Sequence, residues 1–357
     1  MLTSLPHLGT EEAQTGRVVR FSDYQIEMAH GAGGMASRRL VEGLFAPLFG
    51  GTLLTPLTDA ATLEIGGMRL AMTADGFVVR PLEFPGGSIG ELAVNGTVND
   101  LAVSGARPIG LLTTFVIEAG LPGAVLERTT RAVADAARRA DVPILGGDTK
   151  VVEHGKADGL YITTSGLGVV DARVSLSAAS VRPGDVILLS GPIGDHGITV
   201  LLARGDVDLD ASLRSDTRSV WPMVKRLIAA AADGLRWMRD PTRGGVATSL
   251  NELARDASVG VVIFEDRVPM RAPVRGACEL LGLDPLHIAN EGQFLAVVSS
   301  ERAESALAAL RSVPGGEEAA IIGEIRDSPA KTLLCLAPYG TARLVDMLVG
   351  DPLPRIC

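Results

Sequence analysis

Residues 61–73 read ATLEI-GG-MRLAMT, and their reading decides the fold of the first half of the chain. Two β-rich runs flank Gly66-Gly67, the mark of a hairpin closed by a two-residue primed turn. A regular register puts Ile65 opposite Met68 and Asp59 opposite Ala74, so Asp59 and Asp75 are expected together at the open end of the hairpin. A helix is expected next, over about 89–104. Ile89, Leu92, Ala93, Val94, Val98, Leu101 and Ala102 make it apolar nearly all round, which marks a buried helix. Glu91, Asn95 and Asn99 recur at i, i+4 and i+8 as one polar stripe, and Asp100 adds a carboxylate beside it.

Working outward, a second helix over about 124–140 leads to a short strand (142–145), a turn GGDTK (146–150) and a long strand (160–170). Strands alternating with helices make this half α/β. The stretch DARVSLSAASVRPGD (171–185) is polar, small and ends on Pro-Gly-Asp, and reads as a domain boundary. Beyond it, strands near 186–190, 260–265, 292–299, 320–325 and 332–337 alternate with helices near 198–203, 220–232, 246–257, 272–281 and 302–313. That pattern is α+β, of the ferredoxin-like kind. The expected organisation is therefore an N-terminal mixed α/β domain (1–171), a C-terminal α+β domain (182–337) and a mobile tail (338–357) ending in the Pro-interrupted DPLPRIC.

A chain of 357 residues suits two such domains and buries enough surface to need no disulfide or metal staple. Its net charge of −9, with no long Lys/Arg run, argues against nucleic acid and anionic membranes. The longest apolar run, 227–232, is six residues, far short of the ~20 a membrane span needs. The first ten residues carry no Lys or Arg and no apolar core, so no signal peptide is expected. Three cysteines, Cys278, Cys335 and Cys357, form no CxxC and suit a reducing cytoplasm.

Asp59, Asp75, Asp100 and Asp148 stand at the ends of strands and helices. Hard cations such as Mg²⁺ take one or two carboxylates plus phosphate oxygens, so the set suits a Mg-nucleotide site; each alone also reads as a turn residue or helix cap. His30-Gly-Ala-Gly33-Gly34 offers backbone N–H groups to a phosphate, or is a flexible turn. Gly146–Lys150 packs a carboxylate, a hydroxyl (Thr149) and an ammonium (Lys150) into five residues, or is a turn with a solvated lysine. In Asp240-Pro-Thr-Arg243-Gly-Gly, Asp240 reads as an N-cap with Pro241 at N1, while Arg243 and the glycines point to phosphate. Glu291, just before a strand, is either a general base or a surface turn residue. The Gly-rich GPIGDHG (191–197) reads as a plain strand-to-helix connection. The last residue, Cys357, is an unusual place for a thiol and invites a chemical role. A tail of 338–357 reaches at most ~65 Å when extended.

These motifs together are recognisable: HGAGG (30–34), TADGFVVRPLEFPGG (73–87), IGELAVNGTVNDLAVSGA (89–106), GGDTKVV (146–152), ADGLYITTSGLG (157–168), GDHG (194–197), DPTRGG (240–245), NEGQ (290–293) and PRIC (354–357). Over essentially its whole length the chain resembles the HypE family of hydrogenase maturation proteins. That family lies in the AIR synthase-like superfamily, with aminoimidazole ribonucleotide synthetase, selenophosphate synthetase and thiamine-monophosphate kinase. The terminal PRIC sets the HypE family apart from these siblings. Thr58-Asp59 stands where the superfamily often has paired acids, and the first 20 residues carry no family motif.

The resemblance implies an ATP-dependent carbamoyl dehydratase. A carbamoyltransferase, HypF, loads Cys357 with an S-carbamoyl group. ATP then drives its dehydration to a thiocyanate, and the cyanide passes to iron on a HypC–HypD complex. It also implies a homodimer and nucleotide held mainly by the N-terminal half. On this reading Cys357, Lys150 and Glu291 are catalytic. His30, Gly33, Gly34, Asn99, Thr149 and Arg243 bind the nucleotide, and Asp59, Asp75, Asp100 and Asp148 hold Mg²⁺. The rival readings are a sibling small-molecule kinase or synthetase and a non-catalytic nucleotide-binding carrier.

Overall fold

The computed structural model describes residues 21–49, 58–205, 212–350, 353 and 355–357. The motif-free first 20 residues lie outside the described residues. The hairpin forms as its sequence dictates: Ala61–Ile65 pairs antiparallel with Met68–Phe77, with Ile65 opposite Met68. Gly66 and Gly67 both adopt the positive φ, 59° and 78°, that a primed turn requires. The ladder between these strands runs only to Ala61 opposite Met72, so Asp59 lies beyond it rather than in a pair with Ala74.

The first sheet has five strands in the order Ala61–Ile65, Met68–Phe77, Leu160–Val170, Ala106–Glu118, Ile144–Val152. Every neighbouring pair is antiparallel except the last. Helix Ile89–Val103 lies across this sheet, and its N-terminus is capped by Ser88, whose hydroxyl accepts from the Gly90 amide at 3.1 Å. Leu92, Val94, Val98 and Leu101 are fully buried, each contributing about 1.5–3 kcal/mol of apolar burial. The expected polar stripe has a structural job. Asn95 donates to Thr217 Oγ1, and the Asn99 amide donates to the carbonyls of Arg218 and Glu291 while accepting from the Val220 amide. The stripe thus ties this helix to the second half of the chain.

The expected turn at 146–150 is not a turn. Residues 144–152 are one extended edge strand, parallel to Ala106–Glu118. Glycine permits this approach, because a Cβ at Gly147 would fall 1.7 Å from the Thr113 carbonyl oxygen.

The second sheet has seven strands in the order Ala342–Leu344, Thr332–Leu336, Gly260–Phe264, Ala320–Arg326, Val186–Leu189, Leu295–Val298, Leu235–Arg239. Its central strands are buried on both faces. Leu188, Ala296 and Val298 pack with residues of helices Trp221–Ala231 and Ala303–Arg311, while Ile187, Leu189, Leu295 and Val297 pack with residues of helix Gly245–Asp256.

The tail is not loose in this structure. Ala342–Leu344 adds an edge strand to the second sheet, and Val345 and Met347 are buried. The carbonyls of Leu348 and Val349 accept from the Met35 and Ala36 amides of the short helix Met35–Leu40. Leu353 and Ile356 are buried in a core that also holds Phe77, Ile89, Ile198 and Ile288, so the last residues are anchored between both halves.

Candidate functional site

Four carboxylates converge where the two halves meet. Asp59 comes from just before the hairpin, Asp75 from strand Met68–Phe77, Asp100 from helix Ile89–Val103, and Asp240 from the loop after strand Leu235–Arg239. Oxygens of Asp59, Asp100 and Asp240 lie within 4.8 Å of one another. Asp75 lines the same cavity of about 190 Å³, together with Arg239, Arg243, Thr248 and Glu252. Arg239 bonds Asp59 at 2.9 Å and Glu252 at 3.2 Å. Thr73 donates to Asp100 at 2.7 Å and Thr97 to Asp75 at 2.9 Å.

Arg239 and Arg243 do not neutralise five carboxylates, the four aspartates and Glu252. Burial, with Glu252 and Asp75 nearby and Arg239 opposing, raises Asp59 to about 6. Burial and then Asp59 push Asp240 up to about 8. Burial and then Asp75 hold Asp100 well above the usual carboxylate range. Oxygen donors that repel each other in this way fit a hard divalent cation, which relieves the repulsion by coordination. Asp59, Asp75, Asp100 and Asp240 are the residues able to hold it.

Two of these findings correct the sequence reading. Asp240 is not an N-cap: the helix begins at Gly245 with Gly244 at its cap, leaving the Asp240 carboxylate in the cluster. Asp148 lies elsewhere, on the exposed edge strand, more than half exposed and 2.6 Å from Lys150. Lys150 holds Asp148 below the usual range, the opposite shift to that of the four clustered carboxylates. Lys150 and Thr149 share that strand, and none of the three lines the cleft. In the sequence Asp240 was marked by the DPTRGG motif, where an aspartate before proline reads as a helix cap; the strand Leu235–Arg239 that places it was not foreseen.

The other wall of the cleft is built from the Gly-rich segments. Gly33, at φ 80°, presses against Arg243, where a Cβ would come within 2.8 Å of the arginine Cβ. Arg243 donates to the Gly31 carbonyl at 2.5 Å. Gly34 caps helix Met35–Leu40 and sits against the Leu348 carbonyl. His30 is buried, with Nε2 2.7 Å from Asp23 and Nδ1 accepting from the Glu27 amide, so it organises this loop. Thr248, in the first turn of helix Gly245–Asp256, is buried with its hydroxyl unpartnered, as suits an anion-binding helix N-terminus beside Arg243. Asn99, expected to touch nucleotide, instead has its amide committed to the domain junction.

Glu291 is no surface residue. It is 3% exposed with Oε1 unpartnered, and its backbone N–H donates to Asp216 at 3.0 Å. Burial and then Asp240 and Asp216 raise its pKa well above the usual glutamate value, with Arg243 opposing. Its neighbour Asn290 links three motifs, accepting from the Gly194 amide and donating to the carbonyls of Pro241 and Ile288.

Cys357 ends the chain in a second cavity, of about 610 Å³, lined by Glu27, Met28, Gly31, Val78, Arg243 and Ile356 among others. Arg243 belongs to both cavities. The Val78 amide donates to the Cys357 carbonyl at 3.1 Å, and the Arg80 amide to the Arg355 carbonyl at 3.3 Å. The other two cysteines are buried, and burial pushes the Cys278 thiol up to about 11. A segment read as a plain connection also takes part: His196 of GDHG is fully buried and donates from Nε2 to the Ile356 carbonyl.

Residues 57–170 match the AIR synthase related protein N-terminal domain, and residues 182–335 match the corresponding C-terminal domain. The chain is 49% identical over 332 residues to the carbamoyl dehydratase HypE of Azotobacter vinelandii, covering 93% of this chain and 97% of that one. It is 42% identical to that of Escherichia coli (strain K12), covering 93% and 99%. A crystal structure of the hydrogenase maturation protein HypE in complex with ATP superposes with a TM-score of 0.78 at 44% identity, covering 92% and 99%. A HypE–HypF complex gives a TM-score of 0.82 at 42% identity, covering 87% and 99%. No described helix is long and apolar enough to cross a membrane.

Proposed function

The chain belongs to the HypE family of carbamoyl dehydratases, and from that premise we propose that the carboxylate cleft and the docked C-terminal cysteine form one ATP-dependent dehydratase site. There the S-carbamoyl group borne by Cys357 becomes a thiocyanate. The observation that carries this reading is Arg243, which lines both the acidic cavity and the cavity that receives Cys357.

An amide oxygen leaves poorly, and phosphorylation corrects that. The carbamoyl oxygen attacks the γ-phosphorus of ATP, ADP departs, and the carbamoyl nitrogen gives up one proton. Phosphate then leaves as the second N–H proton is removed, and the C≡N bond forms on sulfur. Phosphoryl transfer depends chiefly on positioning and charge neutralisation. Arg243 and the N-terminus of helix Gly245–Asp256 receive the phosphates. Asp59, Asp75, Asp100 and Asp240 would hold Mg²⁺, which would supply the remaining positive charge. Glu291 is the base: it is buried with Oε1 unpartnered, close enough to Asp240 and Arg243 for their charges to act on it.

A second copy of the chain completes the site. Met68, Met72, Leu112 and Leu145 are exposed on the first sheet, more apolar surface than a solvated sheet presents. Pairing two copies through this sheet covers that surface. It also carries Lys150, with Thr149 and Asp148, toward the partner's cleft, where Lys150 binds the carbamoyl or phosphate oxygens. HypF is the loading partner, supported by the likeness to the HypE–HypF complex. A HypC–HypD complex receives the cyanide on its iron, and the cytoplasm keeps the terminal thiol reduced.

The intact mass of the C-terminal peptide tests the reading after incubation with HypF, carbamoyl phosphate and Mg-ATP. Expected is the gain of one carbamoyl group on Cys357, followed by loss of one water that requires Mg-ATP. Carbamoylation that persists in Mg-ATP would leave only a carrier.

A further inference from the structure

We propose that His196 is a positioning residue that sets the depth at which Cys357 enters the site. The proposal rests on the dehydratase reading and names a residue that the chemistry itself does not use. His196 is the second residue of helix Asp195–Ala203, is fully buried, and meets the Phe84 ring edge-on at 5.6 Å. Its Nε2 lies 2.8 Å from the Ile356 carbonyl oxygen. A carbonyl only accepts, so Nε2 carries the proton. Its Nδ1 lies 2.7 Å from Ser215 Oγ, so the serine hydroxyl donates to Nδ1, while Ser215 Oγ itself accepts from the Thr217 amide at 3.1 Å. The relay runs from Thr217 through Ser215 and His196 to the tail, every polar atom is satisfied, and one tautomer is enforced. Burial lowers the imidazole to about 4, which agrees with a neutral ring.

The tail is shaped to be held there. Arg355 sits at φ 56°, a left-handed conformation that is unfavourable for a non-glycine residue. Three contacts offset this: its carbonyl accepts from the Arg80 amide and from Arg204 Nη2 at 2.6 Å, and its guanidinium pairs with Asp158 at 2.5 Å. That bend turns Ile356 inward, where it is 1% exposed, and points its carbonyl at His196. Gly197 leaves room for the tail, since a Cβ there would meet Leu353 at 3.3 Å and Ile288 at 2.5 Å. The contacts on Arg355 hold the backbone two residues before the thiol. The Val78 amide holds the Cys357 carbonyl itself at 3.1 Å, and the His196 bond fixes how deep the residue before it sits, so the two together set the reach of the S-carbamoyl group.

The variants to make in the full chain are His196→Met, which keeps the bulk and loses the donor, and His196→Gln, whose amide N–H can replace Nε2–H. HypF must reach Cys357 with the tail released from this docked position, so loading in both variants should be no slower than in wild type. Single-turnover dehydration of the loaded protein should fall at least about tenfold in His196→Met and recover to within about threefold in His196→Gln, since small misplacements near reacting atoms cost up to about a hundredfold. Alkylation of unloaded Cys357 by iodoacetamide gives a readout independent of dehydration. It should be slower in wild type and His196→Gln than in His196→Met, because the donor to the Ile356 carbonyl holds the tail docked. Should His196→Met not fold, Ser215→Ala frees the wrong tautomer and should give an intermediate loss. Equal dehydration and equal protection across wild type, His196→Met and Ser215→Ala would overturn the proposal. A wild type that loads but never dehydrates sinks the dehydratase reading, while the alkylation result still decides whether His196 docks the tail.

Discussion

Two regions rich in carboxylate and cation chemistry, one at the junction of the two domains and one on an edge of the first, differ in everything except residue type. Asp59, Asp75 and Asp100 meet Asp240 in a cavity where burial and mutual repulsion raise their pKa values. Asp148 lies in the open, where Lys150 and the Thr149 amide lower it. The first group is strained until something positive arrives. The second is at ease alone, so any catalytic duty it has must come from outside its own chain. An aspartate at a strand end is therefore informative only once its dielectric surroundings and neighbours are known.

The largest expected effect separates the two groups. Asp240→Asn should lower dehydration of the loaded tail by at least about a hundredfold, because the cation that neutralises the phosphates loses a ligand. The same change should raise the thermal midpoint of the metal-free protein by relieving repulsion. A variant with normal turnover would break the assignment of Asp240.

Next comes the sharing of the site. Lys150→Ala and Cys357→Ala should each be inactive as pure homodimers. Randomly mixed, they should recover about a quarter of wild-type activity, because half the dimers then carry one complete site built from both chains. No recovery would place Lys150 and Cys357 of one chain in the same site.

A smaller effect concerns pH. Asp59 and Asp240 have folded-state pKa values of about 6 and about 8, both above the unfolded value of 3.8. The unfolded chain therefore holds fewer of these protons between pH 4 and 8. Their contribution to stability is full below pH 4 and is lost as pH rises through 6 and 8. Mg²⁺ competes with the same protons, so its thermal stabilisation should be larger at pH 8 than at pH 6. An equal shift at both values would detach these carboxylates from the metal. The smallest effect is on Asp148: Asp148→Ala should leave the thermal midpoint unchanged, since exposed ion pairs add little.

Much of this was legible in advance, for identifiable reasons. The Gly66-Gly67 hairpin, the buried helix over 89–103 and the strand over 160–170 follow from short-range pattern, which local sterics and burial enforce. The GGDTK segment was misread because glycines mark turns and also close strand approach, and only the neighbouring Thr113 backbone distinguishes these. Asn99 was misread because a polar residue on a buried helix signals a partner without saying whether the partner is ligand or backbone. His196 stood in a motif, GDHG, that reads as a plain connection, because its partner lies 160 residues away.

The sequence alone determined the family, the two-domain plan, the terminal thiol and three of the four clustered carboxylates, because motifs and periodicities are properties of neighbouring residues. The tertiary structure decided the rest. It moved Asp240 into the cleft and Asp148 out of it, buried Glu291, and docked the tail against His196. Each of these outcomes depends on electrostatics and desolvation between residues that only the folded chain brings within hydrogen-bonding distance.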